Sequence, residues 1–352
     1  MSSGQFSAFE DVAIIEALRT PWSDLNGPLA QVSPIDLGIK VGRAVLARAD
    51  LDPAAVDSVL AGSMAQASFD AYMLPRHIGL YSGVPQQVPA LAVQRICGTG
   101  LELLRQGALH LQSGGQLALC VGSESMSRNP IASYEHRAGF RLGAPVGFKD
   151  FLWEALQDPA PGVDMIATAE RLAREYGISR AQVDAYALGS HQRALQARDS
   201  GWLGEEIVAV GNERFELDGY QARGIQLPRR VVEVAQDSHP RPTDAEALAR
   251  LSAIHPGGVQ TAGNSCAVVD GAAAALVGRA CDCTRPPLAL LRTASVIGVA
   301  PERMGIGPAP AIGLLLERSG LRLDEIGLLE INEAQGAQVL AVSQALGLDP
   351  AR

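Results

Sequence analysis

The chain has 352 residues, of which 47% are apolar and 19% charged, and its formal net charge is -9; this is enough to bury a sizeable core and excludes global disorder. The acidic balance, without a long basic run, excludes a general nucleic-acid surface, so an anionic substrate has to be met by locally placed cations. Five scattered cysteines, at 97, 120, 266, 281 and 283, exclude a disulfide framework.

No signal peptide is evident in MSSGQFSAFEDV, and the longest apolar run, near 272–278, is too short to cross a bilayer. The expectation is a cytoplasmic protein with no membrane segment. Cys281-Asp282-Cys283 lacks a second pair or a nearby His, so no metal site is expected.

In chain order, Val12–Glu16 reads as a strand. Pro34–Arg48 reads as a helix, with Ser33 as N-cap and Pro34 at its first position. Val56–Leu60 is a strand, Gly100–Gln112 a helix, and Gln116–Val121 a strand ending in Gly122. That alternation predicts an α/β layer around a buried sheet. Residues 126–255 carry more charge, with helices at Met165–Tyr176, Arg180–Asp199 and Asp244–Leu251 and a loop-rich stretch at Phe215–Pro242; this segment reads as an insertion. The α/β pattern resumes at Gly263–Val277, Leu288–Val299, Ala309–Ser319, Ile326–Ile331 and Ala334–Leu346. The expected domains are 1–125, completed by about 256–280, then the insertion 126–255, then 281–352.

LDPAAVDSVLAG (51–62) can be laid over LRLDEIGLLEIN (321–332) at an offset of 270, each reading as a helix start, an apolar strand and a turn. The match is of pattern, and chance resemblance stays open. If it is a repeat, a partner for Cys97 falls at about position 367, which makes the second half incomplete by that logic.

Four segments can carry chemistry. In Arg95-Ile96-Cys97-Gly98-Thr99-Gly100, an apolar strand meets a Gly-rich turn and then a helix. A helix N-terminus stabilises a thiolate and lowers its pKa, and its N–H groups, at Gly98 and Gly100, can hold an oxyanion. The alternative is a buried structural Cys. Asn332-Glu333-Ala334 closes an apolar run, as a site residue at a strand end or as a helix cap. Gly263-Asn264-Ser265, with Asp270-Gly271, reads as a tight turn packed against another backbone. MGIGPAPAI (304–312) reads as a loop and helix start with a positional role. None of the six His, at 77, 110, 136, 191, 239 and 255, pairs with Cys97 by spacing.

These segments resemble the thiolases across nearly the whole chain. Arg19-Thr20-Pro21, VPALAVQRICGTG (88–100), GSESMSRNP (122–130), residues 164–194, HPRP (239–242), TAGNSCAVVDGAAA (261–274), MGIGPAPA (304–311) and EINEAQGAQ (330–338) occur in that family's order. The resemblance implies two similar α/β domains in five αβαβα layers with an inserted CoA-binding loop domain, the second half being truncated here. It implies a homodimer or homotetramer that makes or cleaves 3-oxoacyl-CoA through an acyl-cysteine on Cys97, with CoA thioesters as substrates and no cofactor.

The same resemblance assigns to Asn332 a water that stabilises an enolate oxygen. It places Met165, Ser265, Cys266 and Gln335 against the CoA arm or acyl group. The family continues with a Gly-His-Pro segment and a second Cys, neither of which matches a segment here. Gln94, Asp164, Cys266 and Gln335 also depart from the usual Asn, His, Ser and Phe, Gln335 making the acyl pocket more polar. A non-catalytic thiolase-like subunit and a specialised secondary-metabolism acyltransferase therefore stay open beside the enzyme reading.

Overall fold

The structure, a computed structural model, describes residues 4–65 and 68–349. Its strands begin with β1 (Gln5–Ala8), β2 (Val12–Arg19), β3 (Ser23–Asp24), β4 (Ser58–Gly62), β5 (Ala90–Ala92) and β6 (Leu117–Ser125). Four short ladders follow: β7 (Ile131–Ala132) with β8 (Lys149–Asp150), β9 (Gln157–Asp158) with β10 (Val163–Asp164), β11 (Val210–Gly211) with β14 (Glu233–Val234), and β12 (Glu213–Phe215) with β13 (Arg223–Ile225). The last strands are β15 (Val269–Arg279), β16 (Ala289–Leu290) and β17 (Thr293–Val296). The helices are α1 (Pro34–Ala49), α2 (Leu74–Tyr81), α3 (Thr99–Gln112), α4 (Phe151–Glu154), α5 (Met165–Tyr176), α6 (Arg180–Asp199), α7 (Ala245–Ala249), α8 (Pro308–Ser319) and α9 (Gly336–Leu346).

A seven-stranded mixed sheet in the order β16-β2-β15-β6-β4-β5, with β3 on β15, organises the first core. β4 is parallel to both β5 and β6, while β15 runs antiparallel between β2 and β6. All five residues of β4 are buried, as a parallel strand covered on both faces requires. α1 and α2 pack one face, joining Ile35, Leu37, Ile78 and Val121 in one cluster; α3 packs the other, where Leu103 and Leu111 meet Leu60, Cys120 and Val277.

Local chemistry explains α1. The Ser33 hydroxyl accepts from the Ile35 N–H, Pro34 occupies the first turn, and Asp36 and Arg48 complement the two ends of the dipole. Asp50, at φ 56°, turns the chain left-handed and stops the helix. A separate core joins Leu172 and Ala173 of α5, Val183 of α6, Ile306, Ala309 of α8 and Leu340 of α9. The middle segment and the C-terminal helices thus share apolar packing.

One expected strand does not form. Residues 326–331 follow a single 3₁₀ turn (Leu323–Glu325) and pair with nothing among the described residues, and Leu328 is 83% exposed. An apolar run becomes a strand only beside a ladder partner. The two segments of the suspected repeat agree in part. Pro53–Ala55 and Leu323–Glu325 are both 3₁₀ turns at the offset of 270, preceded by left-handed Asp50 and Gly320. Only the first continues into a strand.

Candidate active site

The Cys97 turn sits where the edge strand β5 hands over to α3. Gly62, on neighbouring β4, lets the turn approach: a Cβ there would stand 2.2 Å from the Val93 carbonyl oxygen and 2.4 Å from Thr99 Cγ2. Ile96 has φ 45°, a left-handed conformation that a β-branched residue rarely adopts. Thr99 holds it there. Its buried hydroxyl donates to the Ile96 carbonyl at 2.7 Å and accepts the Arg95 N–H at 2.8 Å. Below the turn, buried Glu102 accepts from Arg95 Nε, Arg105 Nη1 and Gln106 Nε2. Burial tends to raise that carboxyl, but these donors win and hold it below its ordinary range.

Cys97 is free and the residue is exposed at the surface. Its ionisation differs from expectation: desolvation pushes the thiol up, against only its own backbone N–H. Two N–H groups at the helix terminus are directed into the turn itself rather than toward the sulfur. Gly98 N–H donates to the Arg95 carbonyl at 2.9 Å and Thr99 N–H to the Ile96 carbonyl at 3.1 Å. The Arg95 cation faces Glu102. Gly100 is exposed, with nothing within 4 Å of a Cβ placed on it.

A cleft of about 380 Å³ collects Asn332, Glu333, Ser265, Cys266, Tyr186, Ser190, His191 and His239. Cys266, free and exposed, has its thiol raised by desolvation and then by charge on Cys97. The loop behind it is rigid. Asn264, 4% exposed, donates to Asp184 at 2.8 Å and to the Val259 carbonyl at 3.0 Å while accepting the Thr261 N–H at 2.7 Å. Cys266 N–H donates to the Ala334 carbonyl and Gly336 N–H to the Asn264 carbonyl, both at 3.0 Å, which seams this loop to the Asn332 segment.

Gln335 is buried beside that seam, bridged to Ser265, with Oε1 lacking a partner among the described residues. Met165 opens α5 and is not among the residues lining the cleft. Asp164 caps α5 through the Ala167 N–H and approaches His255 Nε2 at 3.2 Å. Asp270 and Gly271, read as part of a tight turn, lie inside β15. There Asp270 accepts the N–H and hydroxyl of Ser127, and Gly271 leaves room for the Trp22 ring.

Spacing missed the two histidines. His191 and His239 lie 5.8 Å apart between ring centroids, and Asp24 holds His239 Nδ1 at 2.9 Å. Burial, with Arg241 and His239 nearby, lowers the His191 pKa and favours the neutral ring. Nothing local in the sequence joins positions 48 apart on a helix and a loop. Arg19 was likewise noted only as part of a motif. It forks onto Asp237 at 2.7 and 2.9 Å and onto Glu206 at 2.7 Å, tying the middle segment to the sheet.

An α/β sandwich presenting a strained, exposed cysteine turn at a sheet edge, with an amide-bearing loop within reach, defines a thiol-dependent transferase. The chain matches the descriptions "Thiolase, N-terminal domain" over residues 12–280 and "Thiolase, C-terminal domain" over 285–352. It is 37% identical over 348 residues to bovine (Bos taurus) mitochondrial 3-ketoacyl-CoA thiolase, covering 97% of this chain and 84% of that one. Human mitochondrial 3-ketoacyl-CoA thiolase in complex with CoA superposes with a TM-score of 0.86 at 34% identity, covering 96% of this chain and 83% of that one. Acetyl-CoA acetyltransferase from Bacillus anthracis superposes with a TM-score of 0.87 at 35% identity, covering 97% and 84%. The chain belongs to the thiolase family and has the thiolase fold.

Proposed function

We propose that this protein is an acyl-CoA C-acyltransferase that forms or cleaves 3-oxoacyl-CoA through an acyl-Cys97 intermediate. The observation that supports it most is the exposed Cys97 on its strained turn at the start of α3, locked by the Thr99 hydroxyl. In the first half-reaction, the Cys97 sulfur attacks the thioester carbonyl of an acyl-CoA; its proton leaves with the CoA sulfur, and a new thioester forms on the enzyme. In the second, a further acetyl-CoA loses an α-proton and its enolate carbon bonds to the acyl carbon. The Cys97 sulfur departs and takes up a proton. Degradation is the same path reversed, with the CoA thiol as nucleophile.

Among the described residues Asn332 makes no hydrogen bond, so its exposed amide is free for a ligand or the water that would steady an enolate oxygen. Ser265 and Cys266 supply the cleft wall for the CoA arm and Gln335 lies behind it on the acyl side, while Met165, outside this cleft at the start of α5, is proposed as a substrate contact on the family resemblance alone. The Gly98–Gly100 turn serves as the support for the sulfur. No cofactor enters this reaction.

A homodimer or homotetramer is supported by β5, whose outer edge is unpaired among the described residues and whose Leu91 is 55% exposed. Among the described residues no helix is long and apolar enough to cross a membrane. A cytoplasmic setting is supported by five free cysteines.

Intact-mass analysis after incubation with acetyl-CoA tests the reading. One acetyl group is expected on Cys97 and none in Cys97→Ala. A wild-type protein left unmodified at Cys97 would overturn it.

A further inference from the structure

Residues 327–333 make no backbone hydrogen bond among the described residues, yet they carry Asn332 to the cleft. The flanking backbone ties are the Ile326 N–H to the Leu323 carbonyl before it and those at Ala334 and Gly336 after it. Ile331 packs against the apolar core shared by α5, α6, α8 and α9, and the residue next to Asn332 is held by a polar clamp. Glu333 Oε1 accepts the Tyr186 hydroxyl at 2.6 Å, and Oε2 accepts the Ser190 hydroxyl at 2.6 Å. Arg193 Nη2 stands 3.9 Å from Oε1.

Tyr186 and Ser190 are four residues apart, on the same side of α6, so they present a matched pair of donors to one carboxylate. α6 is a firm base for such a clamp. Ser179 and Gln182 form a capping box at its start, Arg180 pairs with Asp184 at 2.7 Å, and Asp184 accepts from Asn264. The carboxylate raises the Tyr186 phenol well above its ordinary range, after burial, so Tyr186 stays a donor throughout the working pH range.

We propose that Glu333 is a positioning residue, clamped by Tyr186 and Ser190 of α6 so that the unladdered 327–333 segment presents Asn332 at a fixed place in the cleft. The role rests on the reading of Asn332 given above. It also links the middle segment, which carries α6, to the residue that steadies the enolate. Movement of one is transmitted to the other.

Three measurements on the full chain test this. In Glu333→Ala, deuterium exchange of backbone amides in 327–335 rises about 10-fold as the segment opens more often. Acetylation of Cys97 by acetyl-CoA stays within about 3-fold of wild type. The kcat of carbon–carbon bond formation falls about 10–100-fold with KM little changed, the size expected when an oriented group is displaced by about 1 Å. Glu333→Gln restores most of that kcat, because its Oε1 still accepts from Tyr186 while its Nε2 donates to Ser190 Oγ. The Tyr186→Phe/Ser190→Ala pair reproduces Glu333→Ala, and adding Glu333→Ala to that pair costs nothing further.

The proposal is overturned if exchange in 327–335 is unchanged. It is equally overturned if bond formation is unaffected, or if acetylation falls by the same factor as bond formation. A merely structural tie would produce that last result. Failure of wild type to acetylate Cys97 would instead sink the acyl-transfer reading, and the exchange measurement would still decide the clamp.

Discussion

Replacing Thr99 with Val removes one hydroxyl and little volume, so its effect isolates the lock on the Cys97 turn. Two hydrogen bonds go: the one accepted from the Arg95 N–H at 2.8 Å and the one donated to the Ile96 carbonyl at 2.7 Å. They are not equal losses. The Ile96 carbonyl keeps the Thr99 N–H at 3.1 Å, whereas the Arg95 N–H has no other acceptor among the described residues. One net hydrogen bond at about 1 kcal/mol plus one stranded donor at about 1–3 kcal/mol gives a destabilisation of about 2–4 kcal/mol. For a chain of this length the unfolding entropy is on the order of 0.7 kcal/mol per degree, so Tm falls by about 3–6 °C. The chemical effect is larger in proportion. Ile96 at φ 45° carries strain on the order of 1–3 kcal/mol, and without the hydroxyl it relaxes toward the extended region and carries the sulfur with it. Single-turnover acetylation of Cys97, followed by mass, is expected to slow about 10–100-fold. Thr99→Ser keeps the hydroxyl and stays within about 3-fold of wild type. A Thr99→Val protein that acetylates at the wild-type rate would show that the turn is held by something other than this hydroxyl.

The raised Cys97 thiol predicts that alkylation by iodoacetamide, mapped to that residue, still accelerates with pH at about pH 9 because the thiolate fraction is still growing; a plateau near neutrality would show a thiolate stabilised by a feature absent from this account. Arg19→Met strands Asp237, whose side chain is 7% exposed, and is expected to lower unfolding free energy by about 3–5 kcal/mol. It should also open the 206–240 stretch to limited proteolysis, and an unchanged denaturation midpoint would refute the assignment of that fork as the tie between the middle segment and the sheet.

Legibility followed how local the determinants are. α5 and α6 fall at Met165–Tyr176 and Arg180–Asp199 as read from sequence, because Asp164, Gly177 and the Ser179/Gln182 box write their own ends. The Cys97 turn was legible as a strand–turn–helix, but its lock was not. No propensity places a β-branched residue in the left-handed region, and Ile96 is there because Thr99 and the space left by Gly62 hold it. The run 326–331 has strand composition, but composition does not supply a ladder partner. His191 and His239 meet only because α6 and the 237–242 loop converge on the cleft, a long-range fact that no spacing rule encodes.

These observations together separate two ways of making a cysteine reactive. One is ionisation: a free helix terminus or an adjacent cation lowers the thiol pKa. Here the Gly98 and Thr99 N–H groups are engaged within the turn, Arg95 is turned to Glu102, and desolvation raises the thiol. The other is placement, and the structure shows it repeatedly: a strained Ile96, a buried Thr99 hydroxyl, a glycine at the point of closest approach, and an anchored Asn332 loop. A thiol that is placed but protonated must lose its proton as it attacks. The departing CoA sulfur can take it, which ties acylation to the geometry of the thioester rather than to a standing thiolate. Reactivity toward small alkylating agents and acylation by acyl-CoA should therefore diverge, the first following pH and the second following how well Ile96 and Thr99 hold the turn.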